Sequence, residues 1–257
     1  MKLNNQTGLL LGSLAIASFA SCNPAKAATV TQAGFTWDSN NAVTNGSIVQ
    51  NPGISFTLTG FPVDNTVGTT LGFPNKSTVN LGDNTNRGII ELSWGGSLVE
   101  NLAGNDFVIY ENGAANAPEA FAVAVKQKGG SFTNFLYQFS DNFENQTFAT
   151  AFDLDSFGIA TGESIIAIRI ANLISSDTVG AGGQGFLGGG VTPNTGPLGG
   201  NITYPSGRFD PDITYAVALN NVVPTAIPFE FSPSLGLIIF GGWVMFGKLK
   251  QTSKVNK

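Results

Sequence analysis

The sequence contains no histidine, and its single cysteine is Cys22. Histidine-based zinc sites, Ser-His-Asp triads and structural disulfides are therefore excluded as sources of chemistry or stability. Charged residues make up only 11% of the 257 residues, and they are unevenly distributed. Between residues 28 and 247, six Lys and Arg residues stand against 17 Asp and Glu residues, which leaves a net charge of −11. We expect no nucleic-acid partner, because phosphate binding needs a basic surface.

The N-terminal segment has the composition of a secretory signal. Lys2 supplies a positive start, residues 8–20 form an apolar run, and Ala25-Lys26-Ala27 offers small residues for cleavage. The run is short for a membrane-spanning helix, so the pattern predicts a signal peptide over residues 1–27. Two alternatives stay open: a lipobox in which Cys22 becomes lipidated, and a buried N-terminal helix.

The C-terminal segment combines a short motif, an apolar run and a basic end. Pro228-Phe229-Glu230 precedes an uncharged stretch over residues 231–247, and four lysines follow within residues 248–257. The stretch is at the low limit for a helix that spans a bilayer, and lysines after it are expected to stay cytoplasmic. This order predicts an exported domain with a weak membrane anchor. A helix that simply stays in the membrane is the alternative.

This tail resembles the PFE variant of the PEP-CTERM sorting signal, through Pro228, Phe229 and Glu230 and the glycine-rich run and lysines after them. Proteins with such tails occur in bacteria that make extracellular polysaccharide. The resemblance implies transient residence in the inner membrane, an exosortase-like protease as partner, and a final location at the cell surface or outside the cell. The expected organisation is a signal peptide at 1–27, a folded domain at 28–222 and a sorting tail at 223–257.

The segment between the two ends is predicted to be all-β. Apolar and polar residues alternate with a period of two along much of it, whereas no helical period extends beyond two turns. The expected strands include residues 54–59, 78–81, 90–94, 107–110, 120–126, 132–139, 166–171 and 214–219. The turn clusters between them include Asn45-Gly46, Gly82-Asp83-Asn84, Asn112-Gly113 and Gly129-Gly130. The pattern favours an antiparallel β-sandwich with an aliphatic and phenylalanine core.

Four segments in this order carry a second resemblance: residues 106–113 (DFVIYENG), 119–125 (EAFAVAV), 166–170 (IAIRI) and 207–210 (GRFD). They resemble a group of exported bacterial domains that are similar to galactose-binding-like jelly-roll sandwiches. Arg208, Pro211 and the long insertion before them depart from that group's pattern. The resemblance implies a jelly-roll fold over roughly residues 60–219.

Four acidic residues form a candidate calcium site: Asp106, Glu111, Asp210 and Asp212. Asp210 and Asp212 are two residues apart at the start of a strand, so their side chains should leave one face, and Asp106 and Glu111 flank another strand. Oxygen ligands without histidine or cysteine suit calcium. The jelly-roll resemblance also implies a structural calcium ion at the edge of the sandwich. The alternative is that these acids accept hydrogen bonds from backbone amides in turns.

We expect a non-enzymatic protein of the cell envelope or extracellular matrix that binds polysaccharide. Aromatic side chains are the usual platforms for sugars, and the candidates are Trp37, Trp94, Tyr110, Tyr137 and Tyr204, although alternation assigns Trp94 to the core. One alternative is a carbohydrate-active hydrolase that uses two acids such as Asp153 and Asp155, and another is a purely structural surface protein. The glycine-rich residues 175–207 are expected to form a flexible surface loop, with a ligand lid as the alternative.

Overall fold

The structure, a computed structural model, describes residues 28–50, 79–114, 117–189, 204, 208–220 and 222–224, and thirteen β-strands are the main regular elements of these residues. The strands are β1 (Thr29–Gln32), β2 (Phe35–Asp38), β3 (Asn45–Gln50), β4 (Val79–Asn80), β5 (Ile89–Ser93), β6 (Ser97–Glu100), β7 (Phe107–Asn112), β8 (Phe121–Gln127), β9 (Asn142–Glu144), β10 (Thr147–Phe152), β11 (Ser164–Asn172), β12 (Asp212–Ala218) and β13 (Val223–Pro224). Two short 3₁₀ turns, Ser39–Asn41 and Leu154–Phe157, complete the regular structure of these residues. The all-β prediction is confirmed.

The strands form two antiparallel sheets and a separate hairpin. One sheet has the order β4-β12-β7-β10-β9. The other has the order β13-β6-β11-β5-β3, and β8 pairs with β11. β1 and β2 form the hairpin. The strand predicted at residues 54–59, the signal peptide and the sorting motif Pro228-Phe229-Glu230 lie outside the described residues.

One hydrophobic core joins the two sheets, which makes the architecture a β-sandwich. Ile90 and Leu92 of β5 belong to the same buried cluster as Phe107 and Ile109 of β7. The alternation predicted for β5 is confirmed, because its burial alternates along the strand. β7 instead buries its first five residues. It lies between β10 and β12, and Tyr110 on its second face accepts a hydrogen bond from the Trp37 indole at 3.1 Å.

Two local predictions were wrong. Asn45-Gly46 is not a turn but the beginning of β3, where the two residues pair with Ser93 and Leu92 of β5. Strand pairing with a distant segment overrides the local turn preference of an Asn-Gly pair. Residues 132–139 do not form a continuous strand; they follow β8 through single bridges, Val123 with Leu136 and Lys126 with Phe132.

Strand pairing extends to residue 224, at the C-terminal end of the described chain. β13 pairs residues 223–224 with Leu98 and Ser97, so the sheet continues two residues past the boundary expected at 222. Among the described residues, no helix has the length and apolar character needed to cross a membrane. The apolar helix predicted at 231–247 lies outside them.

Candidate ligand-binding groove

The aromatic residues expected to serve as sugar platforms are buried. Trp37, Trp94, Tyr110, Tyr137 and Tyr204 are each at most 6% exposed. The prediction that Trp94 belongs to the core is confirmed, but the other four aromatic side chains are buried as well. An exposed aromatic platform must therefore come from another residue.

A polar groove of about 540 Å³ lies where three parts of the chain meet. Arg87 comes from the connection between β4 and β5, residues 134–137 follow β8, and residues 177, 178, 184 and 185 belong to the glycine-rich segment after β11. Ala122 of β8 and Leu173 complete the described lining. A volume of this size is typical of ligand sites, which range from about 300 to 1,000 Å³.

Backbone hydrogen bonds build the floor of the groove. The Leu136 amide donates to the Val123 carbonyl at 2.8 Å, and the Val123 amide donates back to Leu136 at 2.7 Å. On the other side, the Tyr137 amide donates to the Gly185 carbonyl at 2.9 Å, and the Leu187 amide donates to the Tyr137 carbonyl at 2.8 Å. Residues 135–139 thus lie between β8 and the glycine-rich segment.

The glycine-rich segment is fixed to this floor over its first half. The Tyr137 hydroxyl donates to the Gly180 carbonyl and accepts from the Gly180 amide, both at 2.9 Å. A Cβ atom on Gly183 would collide with that hydroxyl and with the Thr178 carbonyl, so this position needs glycine. Residues 175–189 form a surface loop, as expected, and these hydrogen bonds hold it against the floor. Residues 190–203 and 205–207 lie outside the described chain.

Phe135 is the exposed aromatic side chain that the sequence patterns missed. It is 39% exposed and lines the groove. Asn134, Thr178 and Gln184 are also exposed and line the same groove. One aromatic ring therefore lies among three uncharged polar side chains, two of which are planar amides.

An ion pair forms the charged part of the lining. One terminal nitrogen of Arg87 donates to both oxygens of Asp177, at 2.6 and 2.5 Å. The Ile174 amide donates to Asp177 Oδ2 at 2.7 Å, so the carboxylate is held from two directions. The two side chains are 32% and 27% exposed, which leaves the pair accessible from the groove.

Three of the four predicted calcium ligands lie near one another, together with Glu119. Glu111 is fully buried, and its Oε1 accepts from the Glu119 amide at 2.9 Å. Glu119 Oε2 accepts from the Asp212 amide at 3.1 Å. Desolvation raises the pKa of Glu111 well above its usual range, with repulsion from Glu119 and Asp212 adding to it. Desolvation, then repulsion from Asp210 and Asp212, raises the pKa of Glu119 to about 8.

Asp106 lies at the other end of β7, outside this acidic cluster of Glu111, Glu119, Asp210 and Asp212. Glu111 is five positions further along the chain, which is about 16 Å along an extended strand. Its Oδ1 accepts from the Leu102 amide at 2.8 Å, and its Oδ2 accepts from the Leu154 amide at 2.9 Å. Asp106 therefore ties two loops to the sandwich, as the alternative reading of these acids expected.

The acidic cluster supplies the oxygen donors that calcium prefers. Two of its oxygens, Glu111 Oε2 and Asp210 Oδ1, are buried without a hydrogen-bond partner among the described residues. However, no three Asp, Glu, His or Cys side chains of the described chain converge closely enough to hold a metal ion. The cluster is thus not preassembled around one point, and calcium binding stays a prediction.

Asp153 and Asp155 occupy a turn rather than a cleft. Asp153 caps the 3₁₀ turn at Leu154–Phe157, where its Oδ1 accepts from the Asp155 amide at 2.8 Å. Asp155 in turn accepts from the Asn101 side chain at 2.7 Å. Neither lines the groove.

Comparison with protein-family models and with curated proteins found no match. Among solved structures, chitosan-binding module 1 from the chitosanase/glucanase of Paenibacillus sp. IK-5 is 11% identical, with 52% of this chain and 86% of that chain covered and a TM-score of 0.28. The fucose binding module SpX-3 of Streptococcus pneumoniae is 12% identical, with 53% and 86% covered and a TM-score of 0.29. CpGH89CBM32-4, produced by Clostridium perfringens, is 10% identical, with 69% and 95% covered and a TM-score of 0.29. At these values, the ligand of the present chain has to be argued from its own groove.

Proposed function

We propose that this protein is an exported, non-catalytic protein of the cell envelope or extracellular matrix that binds polysaccharide in the groove at Phe135. The observation that carries the proposal is the 39% exposure of Phe135 beside the exposed side chains of Asn134, Thr178 and Gln184. An aromatic ring that lies in a groove beside polar side chains is the combination of groups that small-molecule and sugar sites use, so we place the binding surface here.

Sugars match this combination of groups. A pyranose ring presents a face of C–H groups, which can stack on the apolar face of an aromatic ring. Its hydroxyl groups both donate and accept, as do the amides of Asn134 and Gln184 and the hydroxyl of Thr178.

The composition of the lining supports binding rather than hydrolysis. Glycoside hydrolysis uses two carboxyl groups on opposite sides of the scissile bond. Among the described lining residues, Asp177 is the one carboxylate, and Arg87 and the Ile174 amide occupy it. Glu111 and Glu119 are not part of the described lining.

Export rests on the two ends of the sequence. The apolar run at residues 8–20 supports secretion, and Pro228-Phe229-Glu230 with its apolar run and lysines supports transient anchoring in the inner membrane. An exosortase-like protease is the partner we propose for the tail. Mass spectrometry of the exported protein should detect no peptide beyond about Glu230, and recovery of peptides that end at Lys257 would contradict processing.

Binding is tested with the purified domain and with dextran, mannan and cellulose as neutral polysaccharides. Phe135→Ala should weaken binding by about tenfold, the equivalent of about 1.4 kcal/mol. The melting temperature should barely change, because the ring is exposed. Leu102→Ala is the matched control, since Leu102 is 40% exposed and is not part of the described groove lining. Equal binding by Phe135→Ala and wild type would contradict the site, and release of reducing sugars would contradict the non-catalytic assignment.

A further inference from the structure

The charge in the groove is neutralised before any ligand arrives. Arg87 and Asp177 are the two charged residues among its described lining. The contacts at 2.5 and 2.6 Å are charge-assisted hydrogen bonds, which are the strong class. The other described lining groups that face solvent are uncharged.

An acidic sugar would meet two obstacles in this groove. Its carboxylate would have to displace Asp177 from Arg87, although the Ile174 amide also holds Asp177 in place at 2.7 Å. It would also approach a domain whose residues 28–222 carry six Lys and Arg against 16 Asp and Glu, a net charge of −10 that repels a polyanion. A neutral glycan meets neither obstacle.

We infer that the groove recognises uncharged glycans and that Asp177 is the residue that excludes carboxylated ones by occupying Arg87. The inference rests on the proposed glycan binding and adds the class of ligand and the residue that sets it. Specificity of this kind depends on unfavourable interactions with the competing ligand as much as on favourable contacts with the preferred one.

The chain provides a matched control for this ion pair. Arg169 and Glu91 form a second Arg–carboxylate pair, at 3.0 Å, with side chains 33% and 28% exposed. The Arg169 guanidinium lies 3.9 Å from the centre of the Phe132 ring, and neither member of the pair is part of the described groove lining. Glu91→Gln therefore removes the same charge from the same kind of pair at a different place.

The test compares binding to a neutral polymer, dextran, mannan or cellulose, with binding to polygalacturonate. Wild type should bind at least one neutral polymer and should bind polygalacturonate at least about tenfold more weakly. Asp177→Asn should gain about tenfold in affinity for polygalacturonate, and added salt should weaken the gained binding because it is ionic. Glu91→Gln should keep the wild-type preference.

Asp177→Ser is a second variant that tests the same charge should Asp177→Asn not fold. Serine removes the charge and can still accept a hydrogen bond from the Ile174 amide. Failure of wild type to bind any neutral polymer would overturn the proposed function itself. Wild type that binds neutral and acidic polymers with equal affinity would overturn the selectivity. If Phe135→Ala then loses both kinds of binding, the proposed polysaccharide binding in the groove is still supported. An unchanged preference in folded Asp177→Asn or Asp177→Ser would overturn the role of Asp177.

Discussion

The Tyr137 hydroxyl both donates to and accepts from the backbone of Gly180, with each contact at 2.9 Å. One side chain therefore connects the floor of the groove to its glycine-rich wall. The ring itself packs on Phe186 with centroids 5.4 Å apart. Tyr137 also belongs to a hydrophobic cluster that is separate from the main core of the described residues and contains Phe139, Tyr204 and Phe209.

Loss of this hydroxyl should weaken ligand binding as well as stability. Tyr137→Phe leaves the Gly180 amide and carbonyl without that partner, which should lower the free energy of unfolding by about 1–2 kcal/mol. Because the wall loses its fixed position, the affinity for a bound polysaccharide should fall as well. Tyr110→Phe is the control: its hydroxyl bonds Trp37 and Gln32 in the main core, so it should lose stability without losing affinity. Equal affinities of the two variants would contradict a positioning role for Tyr137.

The backbone of Gly183 should tolerate no side chain. Gly183→Ala brings a Cβ atom against the Tyr137 hydroxyl and the Thr178 carbonyl, and overpacking of this kind typically costs about 1–3 kcal/mol. Gly182→Ala is expected to be unfavourable for a different reason. A Cβ atom at Gly182 meets no atom within 4 Å, but the positive φ of 82° at this position disfavours any residue other than glycine. Chemical denaturation of both variants separates collision from backbone strain. A Gly183→Ala variant as stable as wild type would show that the wall moves freely.

Replacement of Asp106 should destabilise the domain whether or not calcium is present. Asp106→Asn keeps the shape but places an amide donor near either the Leu102 or the Leu154 amide, which should cost about 1–3 kcal/mol. Asp153→Asn is the control, because asparagine also caps turns. Chemical denaturation with calcium and with chelator gives the measurement. A loss of stability that occurs only in calcium would instead identify Asp106 as a ligand.

The acidic cluster should make the metal-free domain less stable as the pH rises. Burial, Asp210 and Asp212 raise the pKa of Glu119 from 4.5 to about 8, while Arg208 partly opposes them. A carboxyl group with a raised folded-state pKa stabilises the fold while it is protonated, and that contribution is lost as the pH rises from 4.5 through 8. In chelator, the melting temperature should fall over this range by at least about 2–4 °C, which corresponds to about 1 kcal/mol. Glu119→Gln, which stays neutral, should flatten the profile; an equally steep profile would contradict the assignment to Glu119.

Calcium bound at the predicted site should reverse this trend. A bound cation would favour the ionised carboxylates of Glu111, Asp210 and Asp212 and thus raise the melting temperature most at the alkaline end. Asp212→Asn should reduce the effect, and magnesium serves as the control ion because it demands a more rigid geometry. A melting temperature that does not respond to calcium at any pH would contradict the calcium prediction.

The strands were predictable where burial follows the local pattern. β5 alternates both in sequence and in burial, so its core face could be identified from spacing alone. β11 follows its pattern less closely: Ile168 and Ile170 are buried as expected, but Ile166 of the same predicted face is only half-buried. Asn45-Gly46 could not be identified as strand, because its turn preference is local whereas its partners Ser93 and Leu92 are more than 40 residues away. Asp106 and Glu111 illustrate the same limit, since the spacing that suggested one site places them at opposite ends of β7.

The sequence by itself determined an all-β acidic domain without histidine or disulfide chemistry, because composition and a period of two are properties of the chain alone. Only the tertiary structure decided where a ligand could bind. Phe135 and Tyr137 are two residues apart and look equivalent in the pattern, yet Tyr137 is 2% exposed and Phe135 39%. The difference arises because the glycine-rich segment, some 45 residues further along the chain, contacts the hydroxyl and the ring of Tyr137 and covers them. Contacts between residues so far apart in sequence produce no periodic pattern in the sequence.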